Sequence, residues 1–267
     1  MLVQYLVTVM KKEKGELKKF LDSLNVKGSI LVGNQRVDNN DVFSVEGNGY
    51  TATVFNSSEK GVSRNRNMLL EKAVADYVTF LDDDMRFKGD AQITVEQFLA
   101  KNKYTCVRFN VVSNNQKREI KLINKNGFVG FHKLTSYGVF GCFFRTAFLR
   151  EKSLKFNESV GPGTNINHGE DGVFLHDFLR KGKIYSKKDV VFEIDQFEST
   201  WINENRDYDL ELFSHGYIYY LLYKKMANIM SILFLITHMW CYPKGSKYSI
   251  LRKNMKKGIA TAKKELR

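Results

Sequence analysis

Asp76-Tyr77-Val78-Thr79-Phe80-Leu81-Asp82-Asp83-Asp84-Met85 is the stretch that decides the fold. Tyr77 to Leu81 is a mostly apolar run, rich in β-branched and aromatic types, that leads straight into three carboxylates. A run with no polar alternation needs cover on both faces, so it predicts a buried strand of an α/β sheet. Such a strand delivers its last residues to the crevice beyond its carboxyl end, where ligands bind. Three adjacent carboxylates repel one another, and an arrangement of that kind answers to a cation. On a strand-like backbone Asp82 and Asp84 point the same way, and Asp83 points elsewhere. The pair suits a hard divalent ion with positions left for phosphate oxygens and water. The residue types alone also allow an acidic turn in which one Asp caps a helix.

Upstream, Gly61-Val62-Ser63-Arg64-Asn65-Arg66-Asn67 leads into a short helix, Met68 to Val74, with Ser63 as its N-cap. The order of basic helix, apolar strand and acidic strand end resembles the nucleotide-sugar-binding half of the GT-A glycosyltransferases, particularly the family-2 group. There a Gly-x-Ser-x-Ala-Arg-Asn helix precedes a strand ending in Asp-x-Asp. Arg66-Asn67 falls on the Arg-Asn pair, with Asn65 in place of the usual small residue, and Asp82 and Asp84 fall on the two carboxylates. The resemblance extends to about Trp201. It implies a Rossmann-like, mixed and mainly parallel sheet flanked by helices.

Leu2 to Met10 reads as the first strand, Glu16 to Leu24 as a helix, and Ser29 to Val32 as a second strand closing at Gly33-Asn34-Gln35. Val42 to Val45 and Thr51 to Phe55 are shorter strands. This alternation itself predicts a mainly parallel sheet with helices on both faces. The resemblance places the nucleotide base at the ends of the first two strands, here Thr8, Val9 and Asn34. Asn34 replaces the family's usual Asp, and its amide is expected to donate to and accept from a uracil edge. Arg64, Arg66, Asn67, Asp82 and Asp83 complete the implied donor site. Asp84 with Asp82 holds the implied Mn2+ or Mg2+.

Farther on, Ala91 to Lys101 is helical, and Tyr104 to Val112 and Gly138 to Phe144 are strands, with a hairpin-type excursion over Arg118 to Leu122 and Gly127 to Phe131. A glycine-rich loop, Gly161-Pro162-Gly163-Thr164-Asn165-Ile166-Asn167-His168-Gly169, then delivers Glu170-Asp171 to the start of a helix over Gly172 to Lys181. Carboxylates at a helix N-terminus are stabilised there, so plain capping is one reading. The family pattern has Glu-Asp at this place, which implies Asp171 as the general base on the acceptor hydroxyl and Glu170 as its orienting partner. His168 is an acceptor-side candidate, and its spacing to the carboxylates does not match a zinc motif. Val190 to Ile194 is a further strand. Asp195 or Gln196 stands where a late His serves the metal in some GT-A enzymes, and Trp201 is a candidate for stacking on a sugar.

The 267 residues suffice for one substantial core. Aromatic residues at 13% and only two prolines exclude a disordered chain. Three widely spaced cysteines, Cys106, Cys142 and Cys241, do not make a disulfide framework, so a reducing cytoplasm is expected. Met1 to Met10, followed at once by Lys11-Lys12-Glu13, is too short for a secretory signal. The net charge of +13 calls for an anionic partner. From Lys244 onward nine Lys or Arg stand against the one acid Glu265, on a helix whose apolar face is Leu251, Met255, Ile259, Ala262 and Leu266. Met226 to Trp240 is apolar but short of a membrane span. Together these predict a C-terminal helical segment, 206–267, attached to an anionic membrane surface. The catalytic part is then 1–205, divided into a nucleotide-sugar half (1–100) and an acceptor half (101–205).

The expectation is a metal-dependent, inverting glycosyltransferase that uses a UDP-sugar and a saccharide acceptor, lipid-linked, in bacterial cell-surface polysaccharide assembly. The enzyme would sit peripherally on the inner face of the cell membrane. Two rivals are weighed. A sugar-nucleotide nucleotidyltransferase needs a glycine-rich basic loop near the first strand, and Met10-Lys11-Lys12-Glu13-Lys14-Gly15 has the charge without the repeated glycines. A nucleic-acid-binding protein is suggested by charge alone, but no nucleic-acid motif accompanies it.

Overall fold

The computed structural model describes residues 1–267 apart from 116–119, 131–137, 196–206, 243–244, 246 and 267. The first strand, β1 (Val3–Met10), is followed by α1 (Lys14–Ser23), β2 (Gly28–Gln35), β3 (Val42–Glu46), β4 (Tyr50–Ser57) and α2 (Val62–Lys72). Next come β5 (Tyr77–Leu81), β6 (Met85–Phe87), α3 (Ala91–Lys101), β7 (Cys106–Ser113), β8 (Gly127–Phe128) and β9 (Cys142–Arg145). The chain ends with α4 (Thr146–Glu151), α5 (Glu170–Lys181), β10 (Ile184–Ile194), α6 (Tyr208–Tyr223), α7 (Ala227–His238) and α8 (Tyr248–Glu265). The strands form one sheet in the order β3-β4-β2-β1-β5-β9-β7-β10-β6, with β8 beside β10. β4, β2, β1 and β5 run parallel, as do β7 and β10, and β9 enters antiparallel between β5 and β7.

The period of two along β1 sorts the core into two layers. Val3, Tyr5, Val7 and Val9 pack with Leu17 and Leu21 of α1 and Val95 and Leu99 of α3. Leu6 faces the other way, with Leu69 and Leu70 of α2 and Phe174 and Phe178 of α5. All five residues of β5 are buried, as expected of a strand covered on both sides. The three cysteines are free thiols.

Several local expectations are corrected. Ser63 is not the N-cap of α2; Gly61 is, and Ser63 lies inside the helix, donating to the Val160 carbonyl at 2.7 Å. Gly138 to Gly141 is a turn, and the strand starts only at Cys142 because Gly141 adopts φ 75 within 2.8 Å (ideal Cβ) of the Phe109 carbonyl. Of the expected hairpin, Arg118, Glu119 and Phe131 lie outside the described residues, and Gly127–Phe128 pairs with Tyr185 and Ser186 of β10. That strand runs back to Ile184, across a register shift between Ser186 and Val190, where the charged Lys187-Lys188-Asp189 lies, and a second between Val190 and Phe192. The expected boundary at 205–206 lies outside the described residues.

The C-terminal helices are not a free tail. Tyr217, Ile218 and Leu222 of α6 and Ala262 of α8 share one cluster with Val160, Ile166 and Val173 of α5. Asp207 caps α6 by accepting from the backbone N–H of Asp209 and Leu210 at 3.1 and 3.0 Å.

Candidate functional site

The acidic stretch after β5 is a turn rather than an extension of the strand: Met85 N–H donates to the Asp82 carbonyl at 3.3 Å, with Asp83 and Asp84 at its corner. The strand-like alternation expected of the three carboxylates is thereby lost. β6 leaves this turn and pairs antiparallel with the end of β10. Asp195, just past β10, donates its backbone N–H to the Asp84 carbonyl at 2.9 Å. Its carboxylate is taken by Arg86 and by the Asn114 amide, at 2.6 Å for the latter. Asp195 is therefore a neutralised brace of the turn and a poor third metal ligand.

One face of α2 meets this turn. Arg66 is 3% exposed, and its guanidinium lies over the rings of Phe156 (5.2 Å) and Phe80 (5.7 Å). Phe156 stacks on Phe174 of α5 at 4.2 Å, so α5 supports the floor under the cation. From this seat Arg66 donates to Asp82 at 3.0 Å and to Asp171 at 2.7 Å, with Glu170 at 3.5 Å. Burial opposes its charge, but Asp171, Asp82 and Glu170 outweigh that and raise its pKa. The two acidic motifs thus meet on one side chain.

Asp171 does not cap its helix. Gly169, with φ 91, occupies the cap, and the Asp171 oxygens go to Arg66 and to the Val139 backbone N–H at 3.0 Å. Burial raises its pKa, Arg66 opposes, and Asp82 adds to the rise. Glu170 is pushed up to about 7 by burial first and then by Asp171, against the pull of Arg66. The glycine-rich loop that delivers this pair is closed on itself: Gly161 N–H donates to the Ile166 carbonyl at 2.7 Å. It also docks on the start of α2. A Cβ on Gly163 (φ 94) would lie 3.0 Å from the Gly61 backbone, so a glycine at 163 allows this close approach.

Other candidates sit close by but are engaged elsewhere. Asn34 is 1% exposed and clamps Lys12, accepting its N–H at 3.1 Å and donating to its carbonyl at 2.8 Å. Its second N–H goes to Asn56 at 3.0 Å, so no donor remains for the expected two-sided reading of a base. Thr8 and Val9 stand in register with Gly33 and Asn34, at the same end of the sheet. Asn67 accepts the Phe156 N–H at 2.8 Å and donates to the Phe156 carbonyl and Glu158, both at 2.9 Å. Its amide ties α2 to the Phe156–Glu158 loop. Arg64 is exposed and paired with Glu59 and Glu158, not with the buried carboxylates. His168 packs 5.2 Å from His215 of α6, and burial, with His215, holds its pKa down to about 4. Trp201 lies outside the described residues. Sequence reasoning missed Arg86 and Glu158, whose only signal is charge in an otherwise apolar or loop context.

Among the described residues no group of three or more His, Cys, Asp or Glu is gathered as a ready metal cage. The donor set nevertheless fits a hard cation. Asp82, Glu170 and Asp171 outnumber the one guanidinium between them, Asp83 and Asp84 follow at once, and every ligand offered is oxygen.

Residues 41–158 match the sequence model of Glycosyl transferase family 2. No curated protein matches the chain significantly in sequence. Among solved structures the chain is similar to S. aureus TarS residues 1–349 in complex with UDP-GlcNAc, at 15% identity and a TM-score of 0.63 over 90% of this chain and 73% of that one. The complex of the same fragment with UDP gives 14% identity and a TM-score of 0.60, covering 93% and 76%. Against the longer TarS chain the TM-score is 0.57 at 14% identity, and the match spans 90% of this chain and 44% of that one. These likenesses show the fold, which is that of the GT-A glycosyltransferases.

Proposed function

We propose that this chain transfers a sugar, with inversion, from a uridine diphosphate donor to a hydroxyl of a saccharide acceptor carried on a lipid. The observation that carries the reading is Arg66, which ties Asp82 and Asp171 into one site through bonds of 3.0 and 2.7 Å. The TarS complexes with UDP-GlcNAc and UDP supply the donor class by analogy of fold.

In this account the donor lies across the ends of β1 and β2, with its diphosphate toward Arg66 and the Asp82–Asp84 turn. A Mn2+ or Mg2+ ion held by Asp84 and Asp82 would neutralise charge developing on the departing diphosphate. Asp171 takes the proton of the acceptor hydroxyl as that oxygen bonds to the anomeric carbon; the bond from this carbon to the phosphate oxygen breaks, and UDP leaves with the electron pair. Arg66 and the Val139 N–H each occupy one Asp171 oxygen, which fixes the carboxylate while leaving a lone pair for the proton. Glu170 holds the acceptor side beside it. A cell-surface polysaccharide is the product class that fits a lipid-carried acceptor.

The test is a panel of nucleotide sugars scored by thermal stabilisation with and without Mn2+, followed by the anomeric configuration of the product. Stabilisation by UDP-sugars and an inverted product support the reading. Release of pyrophosphate from a nucleoside triphosphate and a sugar phosphate would replace it with sugar-nucleotide synthesis.

A further inference from the structure

The outer face of α7 breaks the rule for a helix at the surface of a protein in water. Its inner side carries the buried Ala227, Ser231 and Leu235. Its outer side, with the residues flanking the helix, carries Met226, Ile229, Leu233, Ile236 and Trp240, from 49% to 81% exposed. These recur at alternating intervals of three and four, which lines them up as one stripe. A helix apolar on both faces has a partner on each, and among the described residues only the inner face has one.

We propose that this stripe is a monotopic membrane-docking surface, seated in the interface of a bilayer containing anionic lipid. Tyr208–Cys241, 34 residues, is long and apolar enough by composition to cross a membrane, but it is broken into α6 of 16 residues and α7 of 12, each shorter than the ~20 residues that crossing a hydrocarbon core of ~30 Å needs. Between them Lys224 adopts φ 48, and the chain folds back so that Phe234 of α7 packs on His215 (4.7 Å) and Tyr219 (5.8 Å) of α6.

Charge selects lipid over a second copy of the chain. Exposed Lys224 and Lys225 stand at the head of the stripe. On α8, Tyr248, Ser249, Arg252, Lys253, Lys256 and Lys257 line one open groove, and among the described residues no carboxylate lines it. Such a surface attracts phosphate headgroups and repels its own image. Trp240, 81% exposed at the far end of the stripe, is the residue type that settles at a headgroup boundary.

The surface is rigidly linked to the site. A Cβ on Gly216 of α6 would lie 2.0 Å from the Met255 carbonyl, and one on Gly258 of α8 would lie 1.9 Å from the Phe213 carbonyl, so the two helices touch backbone to backbone. Ile218 of α6 in turn fills the space a side chain at Gly169 would need, 2.4 Å from its ideal Cβ. Gly169 is the cap of the helix that carries Asp171. A bilayer on α7 therefore has a fixed position relative to Asp171, which suits a lipid-carried acceptor; that last clause rests on the function proposed above.

The test is co-sedimentation of the full chain with phosphatidylcholine vesicles, with and without phosphatidylserine. The wild type should bind only the anionic vesicles, and binding should fall as salt rises. Leu233→Gln with Ile236→Gln should lower partitioning by about tenfold or more while UDP binding stays unchanged, because both side chains are exposed. Lys253→Gln, Lys256→Gln and Lys257→Gln together should remove the preference for phosphatidylserine. Undiminished vesicle binding by the first variant overturns the proposal, as does a wild-type dimer in solution that this variant abolishes. A wild type that binds anionic vesicles but no UDP, with vesicle binding still lost in the folded Leu233→Gln, Ile236→Gln variant, would leave the docking surface standing and discard the transferase reading instead.

Discussion

Arg66 donates to Asp171 at 2.7 Å across 105 residues of sequence, from a position with 4% of its side chain exposed. A buried guanidinium with three carboxylates around it is the organising charge of the site, and its removal leaves them facing one another. Arg66→Ala should therefore cost ~3–5 kcal/mol of stability, the range for breaking a buried ion pair. Arg66→Lys keeps the charge but not the planar fork that reaches two carboxylates at once. It should fold with reduced stability and bind UDP weakly. Urea unfolding and UDP titration of the two variants check this; a lysine variant indistinguishable from wild type would refute the bridging role.

Asn67 offers a cleaner separation of framework from binding. Its amide makes three hydrogen bonds, two to the Phe156 backbone and one to Glu158. Asn67→Ala leaves the Phe156 N–H and carbonyl unpaired and should cost ~2–4 kcal/mol. UDP affinity of the folded fraction should be unchanged. A selective loss of UDP affinity without loss of stability would place Asn67 in the donor site.

The acidic pair gives stability a pH dependence with a defined sign. Burial and Asp171 move Glu170 from 4.5 in the unfolded chain to about 7 in the folded one. Between these values the folded chain holds a proton that the unfolded chain has released, so unfolding free energy falls as pH rises from 4.5 to about 7. The raised pKa of Asp171 adds to the slope in the same sense. Glu170→Gln should flatten the slope in that window. Chemical denaturation across a pH series measures it, and an unaltered slope would mean that Glu170 is already ionised in the folded chain.

What the sequence revealed follows from how local each signal is. Tyr77 to Leu81 and the three carboxylates after it are contiguous, and so are Glu170 and Asp171 and the glycines before them. The strand, the run of carboxylates after it and the start of α5 were accordingly legible. Arg66 was visible as part of a motif, but its two partners, 16 and 105 residues away, were not. The partners of Asn34 and Asn67 were hidden for the same reason: they are long-range groups that no spacing rule reports. Length betrayed β10, because Lys187-Lys188-Asp189 lies at one of its register shifts and hides the period of two. The Asp82–Asp84 turn escaped because a strand that ends in a reversal reads like one that continues.

The central claim is that Asp84 serves the donor and Asp171 serves only the acceptor proton. The measurement is the transfer rate of folded Asp171→Asn beside its affinity for UDP with Mn2+, with Asp84→Asn as the counterpart. Asparagine offers one acceptor where Arg66 and the Val139 N–H need two, so a stability loss of ~1–3 kcal/mol is expected and the rate is taken per folded molecule. Asp171→Asn should keep metal-dependent UDP binding and lose ~10²–10⁴ in rate, the worth of a positioned general base. Asp84→Asn should lose metal-dependent UDP binding itself. A wild-type transfer rate in folded Asp171→Asn would contradict the account.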